Sequence, residues 1–122
     1  MANFVGKILF EELLDAGVVG GGFVYEKASK GGYEPAQLNL GLMYESGMGV
    51  PVSMEKAAHW YTQASIQGNA TATAYLGDCY EKGNGVPKDL NQAIALYQQA
   101  STEGNEFARK QLKRLGLLPQ PE

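Results

Sequence analysis

The side chains best suited to nucleophilic chemistry in this sequence are its single cysteine, Cys79, and its single histidine, His59. A thiol-dependent hydrolase or transferase would need these two groups within hydrogen-bonding reach, with a third group to orient the base. Neither residue recurs in the internal repeat described below. We therefore interpret Cys79 as a small buried thiol and His59 as an imidazole at a helix edge, and predict no catalytic residue. A hydrolase or transferase that uses the pair is the least favoured function.

The sequence also lacks the residue spacings that hold metals or phosphates. One cysteine and one histidine cannot close a zinc site without carboxylates, and no ligand spacing typical of zinc is present. Three glycine-rich segments, at 20–22, 47–49 and 83–85, resemble phosphate loops superficially. None continues into Gly-Lys-Ser/Thr at a strand-to-helix turn, which phosphate binding of this kind requires. We predict no metal, no cofactor and no small-molecule substrate.

Charge and hydrophobicity exclude two further classes of partner. The formal net charge of the 122 residues is −3, so there is no positive field to neutralise nucleic-acid phosphates. No stretch approaches the roughly 18 to 20 apolar residues that cross a bilayer. A lone cysteine suits a reducing compartment. We expect a soluble cytoplasmic protein, with a periplasmic or secreted location left open if a signal peptide has been removed.

An internal repeat must position these residues. Aligning Leu40-Gly41 with Leu76-Gly77 sets an offset of 36 (77 − 41 = 36), which continues without a gap to Gly68-Asn69 and Gly104-Asn105. Within each unit the apolar residues recur at intervals of three and four, which indicates helices. A Gly-x-Gly-Val-Pro segment interrupts the periodicity in the middle of each unit. The pattern predicts a pair of helices per unit.

Capping residues and glycines mark the ends of the predicted helices. Ser53 and Asp89 are suited to cap the second helix of each unit. Asn69 and Asn105 are suited to cap the first helix of the unit that follows, and the glycine before each asparagine can end the preceding helix in a left-handed conformation.

These residues together resemble a known family. The motif Ala-x-x-x-Leu-Gly-x-x-Tyr-x-x-Gly-x-Gly-Val-Pro, followed by Ala-x-x-x-Tyr-x-x-Ala and Gly-Asn, is similar to the Sel-one-like repeat, a relative of the tetratricopeptide repeat. The resemblance implies an all-α fold: a right-handed α-α superhelix, or solenoid, of antiparallel helix pairs. About three to three and a half hairpins are expected. The family implies a role in gathering or docking other proteins, commonly in bacteria.

The repeat register divides the chain within a single domain, 1–122. We predict a degenerate N-terminal capping helix pair at 1–34, repeats at 35–69 and 70–105, and a C-terminal capping helix and tail at 106–122. The sequence leaves open whether Gly20-Gly21-Gly22 allows close helix approach or breaks a helix. Leu40 and Leu76 are expected to fill the space between helices. Gly41 and Gly77 are expected to let a neighbouring backbone approach.

A binding surface follows from the resemblance. Tetratricopeptide-like arrays bind partners on a concave face made by exposed positions of the first helix of each pair. Carried onto this sequence, the predicted partner-binding residues are Leu38, Leu42, Glu45, Ala74, Tyr75, Asp78, Glu81, Lys110 and Arg114. The alternative is that these are merely solvated positions, against which the apolar character of Leu38 and Leu42 argues. The resulting groove would have an apolar entrance, an acidic middle and a basic end.

The predicted function is that of a non-enzymatic protein-protein interaction module, or adaptor, that holds a protein or peptide segment on this concave face. A dedicated inhibitor or immunity protein that blocks one toxin or enzyme is the alternative within the same class. A purely structural role as a building block of a larger assembly also stays open, because both ends of a repeat stack need covering.

Overall fold

The computed structural model describes residues 34–118, and these form five α-helices. They are α1 (Glu34–Ser46), α2 (Met54–Ile66), α3 (Ala70–Lys82), α4 (Leu90–Thr102) and α5 (Glu106–Arg114). No strand occurs within residues 34–118, and the all-α prediction is confirmed. Gly20-Gly21-Gly22 and almost all of the predicted N-terminal capping pair lie outside the described residues.

The helices begin where the predicted capping side chains stand. Asn69 Oδ1 accepts a hydrogen bond from the Ala72 backbone N at 2.9 Å, and Asn105 Oδ1 does the same for Ala108 at 2.8 Å. Ser53 and Asp89 accept from the backbone N three residues later at the starts of α2 and α4. Each of these bonds satisfies an amide that a helix start leaves without an intrahelical acceptor, which confirms the predicted caps.

Each helix packs against its neighbour in sequence. The helices α1 and α2 form one hairpin and α3 and α4 form the next, while α2 contacts α3 and α4 contacts α5. The first helices α3 and α5 also touch each other directly. We call residues 34–69 the first unit and 70–105 the second unit. Stacked units of this kind form a helical solenoid.

Two apolar clusters form the core of the described helices. Leu40 and Tyr61 of the first unit are fully buried, and they cluster with Leu76 and Leu96 of the second. A second cluster joins α3 and α4 to α5 through Tyr97 and Leu112, among others. Because α3 contributes to both clusters, neither unit buries its apolar face alone.

Gly41 and Gly77 have the role that the repeat predicted, but a different group approaches them. A Cβ atom at Gly41 would lie 2.5 Å from Cε1 of Tyr61, and one at Gly77 would lie 2.9 Å from Cδ1 of Tyr97. The nearest neighbour is therefore a tyrosine ring from the second helix of the same hairpin, and not a backbone. The glycine lets the Cδ1–Cε1 edge of each ring lie close against the first helix.

The loop inside the second hairpin also joins the two units. Gly85, in a left-handed conformation with φ +75°, lies directly on the backbone of Met54, the first residue of α2. No side chain larger than hydrogen fits in this position. The Gly-x-Gly segment therefore has a structural role in stacking.

Candidate functional site

Two buried tyrosines set the position of two glutamates. The Tyr61 hydroxyl donates to Glu45 Oε1 at 3.2 Å, and the Tyr97 hydroxyl donates to Glu81 Oε1 at 2.9 Å. In both units the bond runs from the second helix to the end of the first. Burial of the ring, together with the adjacent carboxylate, raises the pKa of each phenol above its ordinary value, so both remain hydrogen-bond donors.

A pocket of about 370 Å³ opens along α1 and α3, the first helices of the two units, and along α5, which follows them. The helix α1 contributes one residue, α3 contributes four and α5 contributes three. The lining residues are Glu45, Tyr75, Asp78, Glu81, Lys82, Phe107, Gln111 and Arg114. The pocket thus lies on the face that the repeat geometry predicted for partner binding.

Aromatic rings connect the pocket to the core. Tyr75 and Phe107 pack edge to face with their centroids 5.4 Å apart. The ring centroids of Tyr61 and Tyr75 are 5.6 Å apart, and those of Tyr97 and Phe107 are 6.5 Å apart. We call these four rings the aromatic row. Since two of the rings are fully buried, they hold Tyr75 and Phe107 in place as an apolar wall of the pocket.

Arg114 closes one end of the pocket by an ion pair. Its Nη2 lies 2.6 Å from both carboxylate oxygens of Glu81, and its Nε donates to Gln111 Oε1 at 2.9 Å. Burial alone would raise the pKa of Glu81, but the bonds from Arg114 and Tyr97 outweigh it and hold that pKa below its ordinary value. The same carboxylate raises the pKa of Arg114. At the predicted basic end of the groove, the charge of Arg114 is therefore paired with Glu81, although half of the Arg114 side chain stays exposed.

The remaining charges are distributed unevenly. Lys82 Nζ lies 3.2 Å from Oδ1 of Asp78, which stands one helical turn earlier on α3. The Lys82 side chain is 59% exposed, so this pair contributes little to stability. Glu45 forms its bond with Tyr61 and has no cation beside it among residues 34–118. The pocket therefore carries three carboxylates and two cations, and the carboxylate without a cation is Glu45.

Five of the nine predicted binding residues line the pocket. They are Glu45, Tyr75, Asp78, Glu81 and Arg114. Their convergence depends on α1, α3 and α5 presenting equivalent positions to the same side.

The other four predicted residues do not line the pocket. Ala74 is completely buried in the second core cluster, so its assignment as an exposed contact is wrong. Leu38 and Leu42 are half-buried and pack against the first core cluster, which explains their apolar character without a partner. Lys110 is exposed on α5 and is not among the residues that line the pocket.

Sequence reasoning missed three lining residues. Gln111 stands 36 residues after Tyr75 (111 − 75 = 36), so the repeat register could have found it. Lys82 follows Glu81 directly and ends α3. Phe107 aligns with Thr71 one unit earlier (107 − 71 = 36), and no signal in the sequence indicated that this position would join the aromatic row.

The two residues considered for catalysis have different surroundings. Cys79 is 1% exposed, and burial, with lesser effects from Glu45 and Asp78, raises the pKa of its thiol to about 12. Such a thiol is not a nucleophile at neutral pH. His59 is exposed on α2 and packs edge to face on Trp60. In the described part of the chain, no group of three or more His, Cys, Asp or Glu side chains could hold a metal, and no helix could span a bilayer.

Comparison with known proteins gives matches to repeat proteins from bacteria. The family model of the Sel1 repeat matches residues 34–69 and 70–105. A Sel1 repeat protein from Oxalobacter formigenes is 38% identical over 76% of this chain, with a TM-score of 0.73. A protective antigen of uropathogenic Escherichia coli that displays an SLR fold is 35% identical over 77%, with a TM-score of 0.75. The chain spans only 27% and 20% of these two chains.

A third similar structure is closer in length. Cysteine rich protein B of Helicobacter pylori is 28% identical over 75% of this chain and 68% of its own, with a TM-score of 0.69. No curated protein matches the sequence.

Proposed function

This chain belongs to the Sel1 repeat family, whose members are generally protein-interaction modules, and from that premise we propose that it binds a protein or peptide segment in the pocket along α1, α3 and α5. The observation that carries the proposal is the convergence of three successive first helices on one pocket with an aromatic wall and a charged rim. Interfaces gain most of their affinity from a few side chains that enter such pockets. The proposed role is non-enzymatic.

The protonation states in the pocket support binding over catalysis. A general acid or base works best with a pKa near the operating pH. Here the pKa of Glu81 is lowered, and the pKa values of Tyr97 and Arg114 are raised, so each shift moves the group further from neutrality. These three groups keep their ordinary charges at neutral pH. Glu81 and Arg114 are suited to present a fixed pattern of charge to a partner, while the buried, neutral Tyr97 holds Glu81 in place.

The test compares two variants with the same change in charge. Asp78→Lys with Gln111→Lys alters the pocket, whereas Glu103→Lys with Gln99→Lys alters exposed positions of α4 and its C-terminal cap. Partners are captured from the native host with each full-length protein, and their affinities are measured by titration calorimetry. We expect the pocket variant to lose at least tenfold in affinity and the control to bind as the wild type does.

Thermal melting of both variants checks that they are folded. Equal affinity in the pocket variant, or a loss confined to the control, would place the binding surface elsewhere on the molecule.

A further inference from the structure

The second unit shows how this surface holds a guanidinium. Arg114 reaches from α5 to Glu81 on α3 and lies 2.6 Å from both carboxylate oxygens. The Tyr97 hydroxyl donates to Oε1 of the same carboxylate, and Gln111 accepts a hydrogen bond from the guanidinium Nε. The arrangement requires a carboxylate that a buried tyrosine holds in place and a guanidinium from the next first helix.

The first unit repeats half of this arrangement. Thirty-six residues earlier, Glu45 takes the place of Glu81, and Tyr61 donates to it as Tyr97 does to Glu81. The position of Arg114 is occupied by Asp78 (114 − 36 = 78). In the repeat register, Glu45 is therefore matched with a second carboxylate where Glu81 is matched with a guanidinium.

The negative charges of Glu45 and Asp78 favour binding of a cation. Glu45 and Asp78 line the same pocket. The only cation paired with either is Lys82, within the described residues, and its exposed side chain can give way to a competing cation at small cost. The position of Gln111 is taken by Tyr75, which presents an aromatic ring where the second unit presents an amide. A carboxylate pair beside an aromatic ring favours a flat cation that donates several hydrogen bonds and stacks.

We infer that the segment bound in this pocket contributes an arginine side chain, whose guanidinium pairs with Glu45 and Asp78 and packs on Tyr75, as Arg114 pairs with Glu81 one unit later. This inference rests on the proposed function and specifies the chemistry of its partner. Arginine is favoured over lysine because its planar fork matches a carboxylate in two bonds, whereas an ammonium is a compact point charge.

The experiment begins with a displayed library of random heptapeptides, selected on the full chain. Selected peptides are sorted by whether they lose binding to Asp78→Lys with Gln111→Lys, which marks them as pocket-dependent. We expect this group to be enriched in arginine at one position. A pocket-dependent group without arginine enrichment, or with lysine enriched equally, would overturn the inference and leave the proposed function standing. A library without pocket-dependent peptides would overturn both.

One selected peptide is then synthesised with arginine, lysine or citrulline at the enriched position. Citrulline keeps the planar shape of arginine and removes its charge. We expect the citrulline peptide to bind at least tenfold more weakly than the arginine peptide, because the lost bonds are charge-assisted. Equal affinities of the arginine and citrulline peptides would overturn the inference.

Matched variants assign the effect to the two carboxylates. Glu45→Gln keeps an acceptor for Tyr61, and Asp78→Asn keeps the side-chain shape. The double variant should bind the arginine peptide no better than the citrulline peptide, while its affinity for the citrulline peptide stays unchanged. Glu103→Gln, which removes an exposed carboxylate outside the pocket, should preserve the preference for arginine. A preference for arginine that survives in the double variant would show that other groups hold the guanidinium.

Discussion

At the scale of single residues, Glu81 has the most bonds of the carboxylates that line the pocket. It accepts hydrogen bonds from the Tyr97 hydroxyl and from the guanidinium of Arg114. Both donors favour the ionised form, and together they outweigh the burial that opposes it, so the pKa of Glu81 is lower in the folded state than in the unfolded chain. A carboxylate whose pKa falls on folding stabilises the folded state above its unfolded pKa and ceases to do so as the pH drops through its folded pKa.

This linkage predicts the dependence of stability on acid. An unfolded glutamate titrates near about 4.3, so the free energy of unfolding should begin to fall as the pH approaches that value and continue to fall below it. Glu81→Gln should be less stable than the wild type at pH 7 and should lose less stability on acidification. Urea denaturation at a series of pH values would measure both slopes.

The control for this prediction is Gln99→Ala, which truncates an exposed side chain of α4 outside the pocket. Because Gln99 carries no ionisable group, the pH slope of this variant should match that of the wild type. If Glu81→Gln kept the full acid dependence, the ion pair with Arg114 would contribute no stability in solution.

At the scale of elements, the two units are joined by a loop as well as by helix faces. Gly85 brings the loop between α3 and α4 onto the backbone of Met54. The start of α2 therefore packs against the loop of the following unit. The contact is between backbones and leaves no room for a side chain. At Gly85, the repeated Gly-x-Gly segment therefore serves to pack the loop of the second unit against the first unit.

Two alanine substitutions can separate this contact from backbone strain. Gly85 and Gly116 share a φ of +75°, but a Cβ at Gly116 would meet nothing within 4 Å. Gly116→Ala should destabilise the fold by about 1–2 kcal/mol, the penalty for a left-handed alanine. Gly85→Ala should cost a further ~1–3 kcal/mol, because the backbone of Met54 must move. Chemical denaturation of the two variants would give the difference, and equal losses would mean that the loop does not press on α2 in solution.

At the scale of the whole molecule, two core clusters link the helices from α1 to α5. The helix α3 shares one cluster with α1 and α2 and another with α4 and α5. A solenoid is stabilised by contacts between neighbouring units. Loss of packing in the unit at one end therefore destabilises the units that contact it. We expect the described helices to unfold together.

Cooperative unfolding can be followed from one end of the stack to the other. Leu112→Ala empties a fully buried position on α5 and should cost about 2–5 kcal/mol. Trp60, the only tryptophan of the chain, lies on α2 near the opposite end of the described helices. Its fluorescence transition should shift by the same amount as the circular dichroism transition.

Leu117→Ala serves as the matched control, because Leu117 is 46% exposed and its truncation should change stability by less than about 0.5 kcal/mol. An unshifted Trp60 transition in Leu112→Ala, with a separate loss of helix signal, would show that the units unfold independently.

The sequence by itself determined the repeat, the helices and their ends. The 36-residue register recurs because each unit buries the same small, aromatic and glycine positions, and the capping residues act on amides only a few positions away. The burial of Leu40 and the need for glycine at Gly41 followed from the same pattern. Such features depend on contacts within one helix or one hairpin.

Only the tertiary structure decided which first-helix positions reach the pocket. Ala74 and Asp78 lie one helical turn apart on α3, yet packing against α4 and α5 buries one and leaves the other at the rim. The pairing of Arg114 with Glu81 spans 33 residues, and it exists because the stacking of α5 on α4 brings the two side chains together. A periodic pattern specifies which residues share a helix face. How far that face turns toward its neighbour is set by the side chains that fill the space between helices.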